Sequence, residues 1–250
     1  MNEYQRIVDE IVESVNITGL YDMIDDITVG IVGGNKKHIK RLPDKYKVGF
    51  ESHNLRLYEK PTLTMLHEHC CNNIGNVLYI HSKNARTTPT EKHVNYKRWK
   101  SWGSREVHRK YMLNFMVHHY VDRLADLDSY DTVGCDFRNR PVNSSHFAGN
   151  FWWANNSFIK TLPAWTESMF PISGPMGRQP RHYCERWLLC YNNEENSKPI
   201  PVYKTVFFGG ECRKNDTIIG DVLSNSLDDN NKLFDSYCEL QQDNKFPIRI

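Results

Sequence analysis

Hydrophobic patterns of helix and strand type alternate along the first eighty residues. Residues 3–17 carry apolar side chains three or four positions apart between charged ones, which predicts an amphipathic helix. KPTLTMLHEHCC at 60–71 predicts a second helix with Pro61 in its first turn. Strands are predicted for DITVGIVGG at 26–34, YKVGFES at 46–52 and VLYI at 77–80. This order favours an α/β fold with a mostly parallel central sheet flanked by helices.

The second half continues with weaker patterns. The longest predicted helix covers 104–126, and RHYCERWLLCY at 181–191 predicts another. DTVGCDF at 131–137 and PVYKTVFF at 201–208 predict strands, and HFAGNFWWANNSFIKTLP at 146–163 predicts a strand that leads into a helix. We therefore expect one domain over residues 1–210. A C-terminal extension over 211–250 should pack on the surface or be partly flexible.

Composition narrows the possible partners. The chain has 250 residues, of which 39% are hydrophobic, enough for the core of one domain. Its 32 basic residues exceed the 30 acidic ones by only two, so no strong cationic field favours nucleic acid as a partner. The basic segment 92–110, with interleaved aromatic residues, keeps nucleic-acid binding as a third hypothesis.

Location and redox state follow from what the sequence lacks. The charged amino terminus has no signal-peptide pattern, and no segment is long and apolar enough to cross a bilayer. Seven cysteines without a C-x-x-C pair favour reduced thiols. We therefore expect a cytoplasmic protein, in the host cytoplasm if it is viral.

The stretch VLYIHSKN at 77–84 places polar groups where a predicted strand ends. His81 and Lys83 are two positions apart, so in an extended chain they project to the same side. Together they could hold a phosphate without a metal ion. The alternative is that His81 is a hydrogen-bonded rim residue and Lys83 a solvated loop residue.

The run HEHCC at 67–71 raises the question of a metal site. His67 and His69 are two positions apart on a predicted helix and therefore face different directions. The sequence shows no complementary ligand set with the usual spacing, and we predict no metal site there.

Two motifs carry a resemblance to a known family. YIHSK at 79–83 and HFAGNFWWA at 146–154 resemble motifs of a bacterial and large-DNA-virus group of small, GT-A-like nucleotide-sugar glycosyltransferases. The resemblance spans residues 5 to about 190. GT-A enzymes typically have Asp-x-Asp after the central strand, where this chain has His-Ser-Lys. Members of the group begin with an apolar strand, and we expect this chain to lack that first strand.

The resemblance implies transfer of a sugar from a nucleotide-diphosphate donor to a glycan, glycoprotein or other hydroxyl acceptor, with inversion and without a required metal. Mn²⁺ or Mg²⁺ remains the alternative cofactor. The implied donor and diphosphate contacts are His81, Lys83, Asp131 and Arg109. The implied sugar and acceptor contacts are His146, Gly149, Asn150, Trp152 and Trp153.

Several assignments leave alternatives open, and His146 could equally have a structural role. Adjacent Trp152 and Trp153 point to opposite faces of an extended segment, so one indole could lie under a pyranose ring while the other joins the core. Both could equally belong to the core. Glu185 is the expected catalytic base, although an ion pair with a neighbouring arginine would also explain it. Asp131 and Asp136 are the reserve candidates.

A second hypothesis assumes the same fold but no sugar transfer. In it, the chain is a catalytically inactive nucleotide- or carbohydrate-binding module derived from the same fold. Binding of nucleotide sugars without turnover would favour this module over the enzyme.

Lys83→Ala tests the predicted phosphate contact. We expect it to weaken binding of UDP and GDP because an ammonium group that pairs with phosphate is lost. Titration calorimetry measures the affinity, and a thermal melt checks that the fold is nearly unchanged. An unchanged affinity would count against Lys83 as a phosphate ligand.

Overall fold

The structure is a computed structural model that describes residues 3–34, 42–82, 109–110, 112–135, 137–138, 146–165, 181–189 and 203–205. Its first half contains helices α1 (Glu3–Ile17), α2 (Leu20–Met23) and α3 (Lys60–Asn72) and strands β1 (Ile27–Val32), β2 (Tyr46–Ser52) and β3 (Asn76–Tyr79). The two helices and three strands predicted from hydrophobic periodicity in this half are confirmed, with small shifts at their ends.

The second half contains shorter elements. Helices α4 (Tyr120–Asp126), α5 (Asn156–Ile159) and α6 (Arg181–Arg186) are joined by strands β4 (Thr132–Gly134), β5 (Phe137–Arg138), β6 (His146–Phe147), β7 (Trp152–Asn155) and β8 (Tyr203–Thr205). A π-helix covers Asn114–His118, and 3₁₀ turns cover Leu55–Leu57 and Trp187–Leu189. The predicted strand 131–137 is thus divided between β4 and β5. The predicted extension 211–250 lies outside the described residues.

The largest described sheet has four strands in the order β3-β7-β4-β8. Strand β7 pairs antiparallel with both β3 and β4, and only β4 and β8 pair in parallel. The mixture of helices and strands expected of an α/β chain is confirmed, but a mostly parallel sheet is not. The antiparallel pairing of β5 with β6 reverses the chain, so that β7 returns in the direction opposite to β4. Strands β1 and β2 form a separate parallel pair.

Strand β7 separates two hydrophobic cores. Trp153 packs with buried residues of α1 and of the helical segment 112–117, among them Val15 and Phe115. Trp152 packs on the opposite side with residues of α3, α5 and the 3₁₀ turn after α6, including Leu63 and Trp187. Since neighbouring side chains of a strand point to opposite faces, two adjacent tryptophans supply one large anchor to each core.

The long helix predicted for 104–126 is irregular in its described part. Residues 114–118 form a π-helix, and the chain bends at His119, with φ −105° and ψ 33°, before α4 begins. The indole Nε1–H of Trp153 donates to the carbonyl oxygen of Met116 at 2.7 Å. The irregular turn therefore provides the partner that a buried indole requires. In the described part of the chain, no helix has the length and apolar character needed to span a membrane.

Gly134→Ala tests the contact between β4 and β6. A Cβ atom at Gly134 would lie 2.3 Å from Cγ of the buried Phe147 ring. We expect overpacking to reduce the free energy of unfolding by about 1–3 kcal/mol, measured by urea denaturation. Adding Phe147→Leu should recover part of the loss relative to the sum of the single changes. Strictly additive losses would contradict this contact.

Candidate functional site

His81 follows β3 and contacts the turn that precedes β7. Its Nε2 atom lies 2.8 Å from the carbonyl oxygen of Gly149. A carbonyl oxygen only accepts hydrogen bonds, so the proton of this bond is on Nε2. The bond joins the two sequence motifs that were singled out independently, 68 residues apart.

The turn has a backbone shape that suits its sequence. The N–H of Asn150 donates to the carbonyl oxygen of Phe147 at 3.1 Å. Gly149 and Asn150 have φ angles of 105° and 58°. Glycine adopts positive φ readily, and asparagine does so more often than most other residues. The turn thereby places the Gly149 carbonyl against His81.

Glu59 lies at the centre of the site, although the sequence did not single it out. Its Oε2 atom accepts hydrogen bonds from the hydroxyl of Tyr79 at 3.1 Å and from Nδ2 of Asn150 at 2.5 Å. Its Oε1 atom lies 3.7 Å from Nδ1 of His81. Glu59 occupies the N-cap position of α3, but its side chain makes no capping hydrogen bond there. The carboxylate is directed into the site instead.

A hydrogen-bonded chain connects this carboxylate to the core. The indole Nε1–H of Trp152 donates to Oδ1 of Asn150 at 2.8 Å. The ring of Tyr79 stacks on Trp152 with centroids 5.1 Å apart. Burial raises the pKa of Tyr79 well above 10, and the charge of Glu59 adds to this shift, so Tyr79 stays a neutral donor. We call Glu59, Tyr79, His81, Gly149, Asn150 and Trp152 the Glu59 cluster.

The charge of the Glu59 cluster differs from the prediction. His81 was expected to act as a fixed cation that holds a diphosphate. Its Nε2–H is bonded to Gly149, and its Nδ1 faces a carboxylate. A diphosphate would meet the negative charge of Glu59 at this position, so the geometry does not support that role for His81. Lys83, the other predicted cation, lies outside the described residues.

The aromatic wall also differs from the prediction. Trp152 and Trp153 point to opposite faces as expected, but they are only 1% and 4% exposed. Neither indole face is open to a pyranose ring, and the alternative in which both belong to the core describes the structure. His146 is buried in β6, opposite Arg138 of β5. Of the predicted sugar contacts, Gly149 and Asn150 lie in the Glu59 cluster.

Two predicted donor contacts lie elsewhere. Asp131 precedes β4, and its carbonyl oxygen accepts from the N–H of Asn155 at 3.0 Å. Asn155 pairs with Asn76 at the start of β3, whereas His81 follows the end of β3. A strand rises about 3.3 Å per residue, so Asp131 and His81 lie roughly 10 Å or more apart at opposite ends of the sheet. Asp131 therefore lies away from the Glu59 cluster, and its donor role stays a prediction.

Arg109 is buried against α1. Its Nη2 atom lies 2.7 Å from Oε2 of Glu10, and both side chains are almost fully buried. A guanidinium held in this way connects two helices and presents no free charge to a dissolved donor. The donor role of Arg109 stays a prediction, and the structure places its side chain in this ion pair. Asp136, the second reserve carboxylate, lies outside the described residues.

Glu185 lies on a helix that touches the Glu59 cluster. Its neighbour Cys184 is buried. Burial raises the pKa of the Cys184 thiol, and the charge of Glu59 raises it further, with a smaller contribution from Glu185. Helix α6 therefore approaches the start of α3, and the half-buried Glu185 is one residue away from this contact.

Metal ligands are scarce in the described part of the chain. Among those residues, no group of three or more His, Cys, Asp or Glu side chains could hold a metal ion. His67, from the HEHCC run, lies with Nε2 3.0 Å from the carbonyl oxygen of Leu162 and its ring against Trp187. These contacts indicate a structural role for His67.

Comparison with known proteins identifies one family. The model of a family described as "Domain of unknown function (DUF8361)" matches residues 3–170, about two thirds of the chain. The Glu59 cluster lies entirely within this match. No curated protein and no solved structure matches the chain significantly.

Glu59→Ala tests the structural part of this geometry. It removes the acceptor of the buried Tyr79 hydroxyl and of the buried Asn150 amide, at a cost of about 1–3 kcal/mol per unpaired donor. Urea denaturation should show a clear loss of stability. The exposed Glu68 on the same helix is the matched control, and Glu68→Ala should stay within about 0.5 kcal/mol of wild type. Equal effects of both changes would contradict the hydrogen bonds assigned to Glu59.

Proposed function

The chain belongs to the DUF8361 family, whose description assigns no activity, and we propose that it is a glycosyltransferase. It moves a sugar from a nucleotide-diphosphate donor to a hydroxyl of a glycan or another acceptor, with inversion. The fold that we propose for it is a GT-A-like domain.

The contact between His81 and Gly149 carries the proposal. The resemblance to glycosyltransferases depends on the motifs YIHSK and HFAGNFWWA, which are far apart in sequence. The 2.8 Å bond between His81 Nε2 and the Gly149 carbonyl brings them together, and Glu59 binds both Tyr79 and Asn150. Residues that act on one substrate must converge in this way.

The position in the sheet supports the same proposal. Strands β3 and β4 both run antiparallel to β7, so they point in the same direction. Their carboxyl ends lie at one edge, where His81 follows β3. Ligands of α/β proteins typically bind at this edge, because loops there present polar groups over a rigid base.

The proposed reaction uses Glu185 as the base. The acceptor hydroxyl oxygen attacks the anomeric carbon and forms the new glycosidic bond. The bond from that carbon to the diphosphate oxygen breaks, and its electron pair leaves with the nucleoside diphosphate. The hydroxyl proton passes to the carboxylate of Glu185. Lys83 supplies positive charge to the departing diphosphate.

The runner-up is a binding module without catalysis. It is favoured by the positions of Arg109, buried against Glu10, and of Asp131, at the far end of the sheet. Neither of these two expected donor contacts belongs to the Glu59 cluster. A protein that kept the fold but lost donor chemistry would show this pattern.

A donor-turnover assay separates the two functions. The full chain is incubated with UDP- and GDP-linked sugars, with and without an oligosaccharide acceptor, and released nucleoside diphosphate is measured. Glu185→Gln should reduce transfer at least 100-fold while donor affinity, measured by calorimetry, stays within about threefold of wild type, because only the base is lost. EDTA should have little effect if Lys83 replaces a metal.

Other outcomes of the assay would contradict one or both of these functions. Binding without turnover in the wild-type chain would favour the module. Full activity of Glu185→Gln would remove Glu185 as the base, and neither binding nor turnover with any donor would contradict both functions.

A further inference from the structure

We propose that Glu59 Oε1 and His81 Nδ1 form a binding site for two adjacent hydroxyl groups of a saccharide. The pair of acceptors follows from the structure, and the choice of a saccharide as the ligand depends on the proposed function. The site gives His81 a partner different from the diphosphate that the sequence suggested.

The two carboxylate oxygens of Glu59 have different partners. Oε2 already accepts from Tyr79 and Asn150. Among the described residues, the polar group facing Oε1 is Nδ1 of His81 at 3.7 Å, which is too long for a hydrogen bond. The Glu59 side chain is 20% exposed. Oε1 thus has no hydrogen bond to a described residue, and it belongs to a side chain that is partly exposed.

The ring of His81 offers a second acceptor. In a ring whose single proton is the one on Nε2 donated to Gly149, Nδ1 carries a lone pair. The side chain of His81 is 22% exposed. Two acceptors that lie side by side on partly exposed side chains suit a ligand with two adjacent donors.

A vicinal diol fits this requirement better than the other small ligands of a transferase. Each of its hydroxyl groups can donate one hydrogen bond of about 2.7–2.8 Å, one to Oε1 and one to Nδ1. An ionised phosphate has only acceptors and would be repelled by Glu59. Two protein ligands are fewer than a zinc or calcium site normally uses. The diol can come from a hexose or from the ribose of a nucleotide.

Glu59→Gln changes the atom that would face the ligand and keeps the hydrogen bonds to Tyr79 and Asn150. Tyr79 and Asn150 both donate, so the carbonyl oxygen of the introduced glutamine must take the place of Oε2 to keep their bonds. The amide nitrogen then takes the place of Oε1 and presents hydrogen atoms where the ligand needs an acceptor. The variant should fold with nearly wild-type stability and still lose diol binding. Glu68→Gln, on the exposed face of the same helix, is the matched control.

The experiment follows the ring nitrogens of His81 by ¹H–¹⁵N NMR of the full chain in mildly alkaline buffer. The His81→Asn variant identifies the signal. The probes are glucose, galactose, mannose, UDP-glucose, GDP-mannose, uridine, 2′-deoxyuridine and inorganic pyrophosphate. Hexoses test the pyranose diol, and the pair uridine and 2′-deoxyuridine tests the ribose diol.

We expect the free protein to show a protonated Nε2 and an unprotonated Nδ1, and at least one diol-bearing probe to shift the Nδ1 signal. Glu59→Gln should weaken that probe about tenfold to a hundredfold, as expected for a charged acceptor replaced by a donor. Glu68→Gln should bind like wild type. A proton on Nδ1, a shift caused by pyrophosphate alone, unchanged affinity in Glu59→Gln, or no response to any probe would overturn the proposal.

A failure of the diol site can be distinguished from a failure of the proposed function. If free sugars shift Nδ1 but no nucleotide sugar is turned over, the diol site stands and the transferase does not. If nucleotide sugars are turned over while Nδ1 is silent and Glu59→Gln keeps full affinity, the transferase stands and the diol site does not.

Discussion

The buried indole N–H of Trp152 is the constraint from which the site geometry follows. A buried donor without a partner costs about 1–3 kcal/mol, and Oδ1 of Asn150 meets this need. Because the indole only donates, the Asn150 amide must turn its Nδ2 group away from it, toward Glu59. That bond fixes Oε2 of Glu59 inward and leaves Oε1 facing His81. A chain of hydrogen bonds therefore links the packing of Trp152 in the core to the orientation of the Glu59 carboxylate.

The same strand connects the site to the sheet and to both cores. Strand β7 is hydrogen-bonded on both sides, to β3 and to β4. Its two tryptophans anchor separate cores on the two faces of the sheet. A change in the register of β7 by one residue would exchange these faces and break the alignment of Asn150 with Glu59. The position of Asn150 beside Glu59 therefore depends on the alternation of two aromatic side chains.

Local sequence patterns predicted the helices and strands better than they predicted the contacts between residues that are distant in the sequence. Periodicity located α1, α3 and strands β1 to β3, because each has a continuous apolar face or run. It could not show that β7 returns antiparallel, since that depends on the short β5 and β6 pairing between distant segments. His81, Gly149 and Asn150 were recognisable from their motifs. Glu59 was not, because a lone glutamate before Lys60 and Pro61 gives no sign of partners 20 and 91 residues away.

A transferase of the proposed kind has two different electrostatic requirements for its donor. The departing diphosphate needs positive charge, whereas sugar hydroxyls need acceptors that hold them in place. The described cluster contains a carboxylate and an imidazole whose proton is already used, so it suits hydroxyls and opposes phosphate. The ammonium group of Lys83 comes two residues later in the sequence. One strand end can thus serve both parts of a nucleotide sugar only if His81 and Lys83 have different partners.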